Sequence, residues 1–491
     1  MTSSMETVRL KAPATIRLRR GARLENLLLF SSLGLLVGLV LYELVPAPTW
    51  IGNAGDDGAY YLMSRNVWHY GAPLLDQSGS AHWSSSWSPV LSLLLSPLGA
   101  LPMGAAVIAE RSVVLLSGLA FLLLSYSWLR REAGLDRLWA AAVTTLVAVT
   151  YPLVRASALV MSDVPSAALL AAGVVLMRRE RIRAGLAALL LAALIRPIAG
   201  VALVAAVVWL VVRLRRRPQG FRLRPIVLGL VAACVVAVVA VIAVGGFTGY
   251  FSQIVHPGAG GVGRTIVQQV KQLTWYPVSW FVGGDTLYSY LRVVLKLLSL
   301  ALAFLAVVGA RRRGLGLEAA IVGATVAVLV VYRATTASEE RYLIPLTPFV
   351  IGAIAIELSR RTRVWTGAAA LLCLAGLASN LHTFAVDAPS PAAYRADVAE
   401  RRRAYDWVRT HVARGAEVVA INDVQSFLYT KHPTDTSIVR FAPRRTFVIR
   451  IPYPPPAPDA WHSEHLLDGY RGQVVYRNGP ISVVQVTGRR R

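Results

Sequence analysis

Long apolar runs alternate along the chain with short connectors rich in arginine. Runs of roughly 17–25 residues predict membrane helices. Eleven are read, several of them short, at about 26–45, 105–129, 138–154, 160–177, 183–195, 197–213, 225–245, 291–309, 317–332, 342–358 and 364–381. Residues 87–101 carry two prolines in a run too short to cross, and predict an interfacial or re-entrant segment instead. Three longer polar stretches remain, at 46–104, at 246–290 and from 382 to 491. In the last of these the period changes. Residues 394–413 predict an amphipathic helix, and 417–421, 446–451, 472–476 and 481–486 predict strands, the final two a hairpin turned at Asn478-Gly479. Pro452 and Pro454 to Pro456 predict a stiff extended connector. The expected fold is a polytopic α-helical membrane protein with about eleven transmembrane helices and a small C-terminal extracytoplasmic α/β domain. Its parts are a basic tail (1–25), a membrane domain (26–381) with outer loops 46–104 and 246–290, and the C-terminal domain (382–491).

Composition agrees with the pattern. Of the 491 residues, 55% are apolar and 16% charged, with a mean hydropathy of +0.53. Such a balance excludes a free soluble enzyme, a disordered chain and a disulfide scaffold. The net charge of +25 comes almost wholly from arginine, 47 against four lysines. An excess this large raises nucleic acid as a partner, but its distribution argues against one. The N-terminal tail and the alternate loops that share its side hold 25 basic residues, while the longer opposite loops hold seven. The positive-inside rule places the N-terminus in the cytoplasm, and eleven crossings then place the C-terminus outside. The first apolar run is too long for a cleavable signal and lacks a small-residue cleavage site. Cys234 and Cys373 fall in separate predicted helices and read as buried small residues, with no disulfide framework.

An ionisable side chain at membrane depth costs roughly 2.5–3.5 kcal/mol, so each one is a functional candidate. The densest acidic site is Gly55-Asp56-Asp57-Gly58-Ala59-Tyr60-Tyr61, just beyond the first helix. Adjacent carboxylates suit a general base or a metal site; the plainer alternative is that Asp56 or Asp57 caps the next helix. Asp163, in Met161-Ser162-Asp163-Val164-Pro165, carries a helix-start signal and returns to the same predicted face. Arg196, Glu339, Glu340, Arg341 and Tyr342 arrive there too, and Arg264 and Lys271 lie in the second outer loop. Several cations at one boundary can hold a phosphate, and arginine does so bidentately. Their alternative role is snorkelling to lipid headgroups, and that of the glutamates is a solvated loop.

Other features weigh less. His462-x-x-His465 has metal-ligand spacing but only two ligands. Trp83, Trp87, Trp275, Tyr276 and Trp280 fit an interfacial belt, and Glu110-Arg111 fits a buried pair that satisfies itself. There is no phosphate-cradling glycine loop and no zincin histidine pair. The cytoplasmic loops are too short to hold a nucleotide.

Four motifs in order, Gly55-Asp56-Asp57-Gly58-Ala59-Tyr60, Trp87-Ser88-Pro89-Val90-Leu91, Ser162-Asp163-Val164-Pro165 and Arg341-Tyr342-Leu343-Ile344-Pro345, resemble those of the GT-C superfamily of lipid-dependent glycosyltransferases. The chain looks most like the bacterial branch related to protein O-mannosyltransferases and aminoarabinose transferases, over residues 25–380 and in its outer tail. Asp57 stands where that branch more often has glutamate, so both Asp56 and Asp57 remain candidates for the catalytic carboxylate. The resemblance implies transfer of a sugar from a polyprenyl-phosphate donor to an acceptor hydroxyl on a glycan, lipid or protein, with inversion, at the outer face of a bacterial plasma (inner) membrane. It implies Asp56 as the general base, Asp163 as a sugar- or acceptor-orienting acid, and Arg196, Arg341 and Lys271 as cations for the leaving phosphate. It requires no cofactor, although some GT-C enzymes use a divalent cation. The alternative from another class is a secondary transporter or lipid flippase, which would place its polar groups near mid-membrane on broken helices.

Overall fold

The computed structural model describes residues 14–52, 56–73, 88–215, 285–331, 341–360, 363–387, 391–432, 434–435, 444–451 and 466–489, with single positions near 270 and 440. The expected helix 225–245, most of loop 246–290, His462 and His465 lie outside the described residues, as do Arg264, Lys271, Glu339 and Glu340.

Each predicted apolar run that falls on described residues is helical. In chain order the helices are α1 (Ala14–Leu44), α2 (Asp56–Tyr70), α3 (Pro89–Leu95), α4 (Met103–Arg131), α5 (Arg137–Ala148), α6 (Tyr151–Ala158), α7 (Asp163–Arg178), α8 (Ile182–Ile195) and α9 (Gly200–Arg215). Next come α10 (Asp285–Arg313), α11 (Gly316–Val331), α12 (Thr347–Ser359) and α13 (Arg363–Asp387). Six spans among the described residues are long and apolar enough to cross a membrane, seven if the bent pair α5–α6 counts as one. Eleven full-length crossings are therefore not what the described helices provide, since α8 and α11 are shorter apolar helices.

The expected single helix 138–154 is broken into α5 and α6, which meet at 59°. Pro152 explains the break: it sits in the first turn of α6, where its missing N–H costs nothing, and cannot continue α5. α3 and the 3-10 turn Ser96–Ala100 form a short apolar segment against α2, where Ser92 Oγ donates to the Tyr60 carbonyl at 3.2 Å. Like α8 and α11, it is a shorter apolar helix than a full crossing requires. Glu110 and Arg111 do not pair. Successive helix residues point about 100° apart, so Glu110 accepts from Ser64 Oγ while Arg111 donates to the carbonyls of Pro48 and Trp50, both at 2.6 Å.

At the arginine-rich ends of the helices, ion pairs tie neighbours together. The buried Glu318 accepts from Arg178 and from Trp128 Nε1 at 2.8 Å, and the buried Glu357 accepts from Arg312 at 2.8 Å. α7 and α8 pack so closely that a Cβ on Gly185 would stand 2.4 Å from Met177 Cγ and 2.9 Å from the Gly173 carbonyl.

Beyond α13, helix α14 (Pro391–His411) covers a five-stranded sheet of order β2-β1-β3-β5-β4, built from β1 (Glu417–Val419), β2 (Thr434–Asp435), β3 (Thr446–Arg450), β4 (Tyr470–Asn478) and β5 (Ile481–Arg489). β1 runs parallel to β2 and β3, and β3 and β4 run antiparallel to β5, with the expected hairpin turning at Gly479 (φ +56°). A further helix, α15 (Asp423–Thr430), lies between β1 and β2.

Overpacking a tight core typically costs about 1–3 kcal/mol. Gly185→Val is expected to lower the thermal unfolding midpoint of the detergent-solubilised protein, whereas the same change at Gly367, which has open space around its Cβ position, leaves it within error.

Candidate functional site

The acid pair lies on the first turn of α2, where the helix dipole favours negative charge. Their adjacency sends the two carboxylates to different surroundings. Asp57 is fully buried, and its Oδ2 accepts the Gly52 N–H at 3.1 Å. Gly52 adopts φ +93°, a left-handed conformation that side-chain-bearing residues rarely take. Asp57 thus folds the connection onto its own helix. Asp56 remains about a third exposed, and its Oδ2 lies 3.0 Å from Arg341 Nη1.

Asp163 opens α7, whose start is marked by Pro165. Capping does not account for it: the N-cap residue is Ser162, and no side chain makes a capping bond there. The Asp163 carboxylate meets Arg196, with Nη1 donating to Oδ2 at 2.9 Å and Nη2 at 2.8 Å from Oδ1. Arg196 extends from the break between α8 and the 3-10 turn Pro197–Ala199, where proline ends the helical hydrogen bonding. With 1% of the Asp163 side chain exposed and 7% of Arg196, this is a desolvated ion pair joined by one hydrogen bond and a second close N···O contact.

Four more groups complete the cluster. Tyr60, one turn after Asp56, donates its hydroxyl to Ser162 Oγ at 2.8 Å, and Arg196 Nη1 donates to the same oxygen at 3.0 Å. The Tyr342 ring lies under the Arg196 guanidinium, 4.8 Å from its centre. Arg341 touches Met161 Sδ at 3.7 Å, and its Nε is buried with no hydrogen-bond partner among the described residues. Asp56, Tyr60, Asp163, Arg196, Arg341 and Tyr342, singled out from sequence, therefore meet at the shared ends of α2, α7, α8 and the turn before α12. Ser162 was quoted only as part of a motif, yet it joins Tyr60 to Arg196.

The arrangement offers one acid about a third exposed and in contact with Arg341, one buried acid held by Arg196, and a guanidinium whose Nε has no hydrogen-bond partner among the described residues. A buried N–H without a partner is costly, and an incoming phosphate oxygen is a matching acceptor for Arg341 Nε. Among the described residues, no three His, Cys, Asp or Glu side chains gather as a metal centre needs.

No protein-family model and no curated protein sequence matches the chain. Solved structures do. The chain is similar to ArnT from Cupriavidus metallidurans in the apo state, with a TM-score of 0.51 and 15% identity over 96% of this chain and 98% of that one. It is also similar to the same protein bound to undecaprenyl phosphate, with a TM-score of 0.53 and 14% identity over the same shares. The chain shares the fold of ArnT.

Breaking one partner of a buried ion pair costs about 3–5 kcal/mol, whereas replacing both is often neutral. Asp163→Asn and Arg196→Met are each expected to lower the unfolding midpoint more than the double variant does, as measured by thermal unfolding in one detergent.

Proposed function

We propose that the chain is a membrane glycosyltransferase that moves a sugar from a polyprenyl-phosphate donor to an acceptor hydroxyl at the outer face of the membrane. The observation that carries this reading is the Asp56–Arg341 contact beside the unused Arg341 Nε. Support comes from the fold, shared with a protein solved with undecaprenyl phosphate bound. The bias of basic residues toward the loops at the far end of the helices adds to it, since the positive-inside rule favours a cytoplasmic side for that end. The cluster sits at helix ends, unlike the mid-membrane polar groups of a transporter on broken helices.

In this reading the donor phosphate takes hydrogen bonds from Arg341 Nε and Nη1, which frees an Asp56 oxygen. Asp56 accepts the proton of the acceptor hydroxyl as its oxygen bonds to the anomeric carbon. The bond from that carbon to the phosphate oxygen breaks on the opposite face, and its electron pair leaves with the polyprenyl phosphate. Configuration at the anomeric carbon inverts. The charge that develops on the phosphate meets a fixed cation, the Arg341 guanidinium. Asp163, already committed to Arg196, holds that arginine in place; Tyr342 covers its face, and Tyr60 fixes the Ser162 hydroxyl that it also meets. Arg264 and Lys271 are further phosphate candidates, and Glu339 and Glu340 are candidates for sugar hydroxyls. The donor arrives through the bilayer, so no nucleotide is needed. A divalent cation would have to compete with Arg341 for Asp56.

General-base catalysis contributes about 10²–10⁴-fold. Purified protein in lipid nanodiscs, offered a panel of polyprenyl-phosphate sugars, is expected to release polyprenyl phosphate from one donor. Asp56→Asn is expected to slow that release by about 10²-fold or more while still binding the donor. Well-folded wild-type protein that neither binds nor consumes any donor, with acceptors supplied, would overturn the reading.

A further inference from the structure

Trp50, Ile51 and Gly52 join the first membrane helix to the acid pair, yet most of what holds them comes from the other end of the chain. Trp50 is a core residue of the C-terminal domain: its ring stacks on Tyr429 at 4.2 Å between centres, beside Tyr405, with the Arg402 guanidinium 5.6 Å above it. Ile51 belongs to a different core, with Tyr60, Tyr61 and Met63 of α2 and Val424 and Leu428 of α15.

The peptide groups are held one by one. The Trp50 carbonyl accepts from Arg111 Nη2 at 2.6 Å. Ile51 N–H donates to the Tyr429 hydroxyl oxygen at 3.1 Å, and the Ile51 carbonyl accepts from Gln425 Nε2 at 3.1 Å. Gly52 N–H donates to Asp57, and the Gly52 carbonyl accepts from Asn422 Nδ2. Gln425 is itself fixed by the Tyr405 hydroxyl, which donates to its Oε1 at 3.0 Å, and Asn422 Oδ1 caps α15 by accepting from Gln425 N–H at 3.1 Å. Burial pushes the Tyr429 phenol up to about 12, so it remains a neutral hydroxyl. There is no slack at the contact: a Cβ on Gly52 would stand 2.8 Å from Gln425 Cβ, and one on Gly58 would stand 3.1 Å from Val424 Cγ1.

We propose that α15 of the C-terminal domain is a positioning element for the acid site: Asn422 and Gln425 clamp the Ile51–Gly52 backbone and so set where Asp56 meets Arg341. The proposal takes what is positioned from the transferase reading, and how it is held from the clamp alone. A displacement of about 1 Å at a reacting group can cost on the order of 10²-fold in rate.

The test is the double variant Asn422→Asp with Gln425→Glu in the full chain in nanodiscs. Asp keeps the capping acceptor and Glu keeps the acceptor for Tyr405, while both lose the donors aimed at the loop. Amide hydrogen exchange over residues 51–58 is expected to quicken roughly tenfold while β3 and β5 keep their protection. Turnover kcat is expected to fall about tenfold to hundredfold with the donor KM within about twofold, the pattern of lost transition-state alignment. If the double variant loses protection in the sheet, Asn422→Asp alone is read the same way. Unchanged exchange at 51–58 overturns the clamp, and faster exchange with unchanged kcat overturns its positioning role. A wild type that protects these amides but consumes no donor instead overturns the transferase reading and leaves the clamp standing.

Discussion

A carboxylate with 1% of its surface exposed cannot stand alone at the end of an apolar bundle, and the contact between Asp163 and Arg196 resolves that constraint. The rest of the site is arranged around this pair. It needs α7 to begin where it does and the chain to break after α8, since only an unwound residue there can aim a guanidinium back at Asp163. Arg196 Nη1 also donates to Ser162, and Ser162 in turn brings in the hydroxyl of Tyr60 on α2. Tyr342 then covers the guanidinium face, which fixes the residue beside it, Arg341. One buried ion pair therefore sets the relative places of α2, α7, α8 and the approach to α12.

Two acid–arginine pairs result, and they are not equivalent. Asp163 and Arg196 meet through two close N···O contacts and are desolvated, the arrangement suited to holding a geometry. Asp56 and Arg341 share a single contact, with side-chain exposures of 30% and 24%, the arrangement suited to exchanging partners when an anion arrives. The third acid, Asp57, is spent on the backbone of Gly52. A chain with two neighbouring aspartates thus uses one to build the connection and leaves the other facing the cluster.

Much of this was legible in the residues. Apolar runs gave the helices, and the arginine asymmetry divided their ends into two kinds. The cost of charge at membrane depth singled out Asp56, Asp163, Arg196 and Arg341, which the fold brings together. The break at Pro152 follows from the missing N–H, although hydropathy alone runs straight through it. Other parts had no such signal. The different fates of Asp56 and Asp57 depend on what each side of the first turn of α2 meets, and periodicity does not carry that information. Glu110 and Arg111 read as a pair from charge, but consecutive helix positions diverge. The grip of α15 on Ile51 and Gly52 rests on neutral amides some 370 residues away; Asn422-Asp-Val-Gln425 resembles a helix-start sequence, and nothing in it points to a distant backbone.

The most direct test of the account is the structure of the protein with polyprenyl phosphate bound. The account predicts the phosphate within hydrogen-bonding distance of Arg341 Nε, the Asp56–Arg341 contact opened from 3.0 Å, and the Asp163–Arg196 pair intact. A phosphate seated away from Arg341, or one that draws Arg196 off Asp163 while Asp56 keeps its partner, would contradict it.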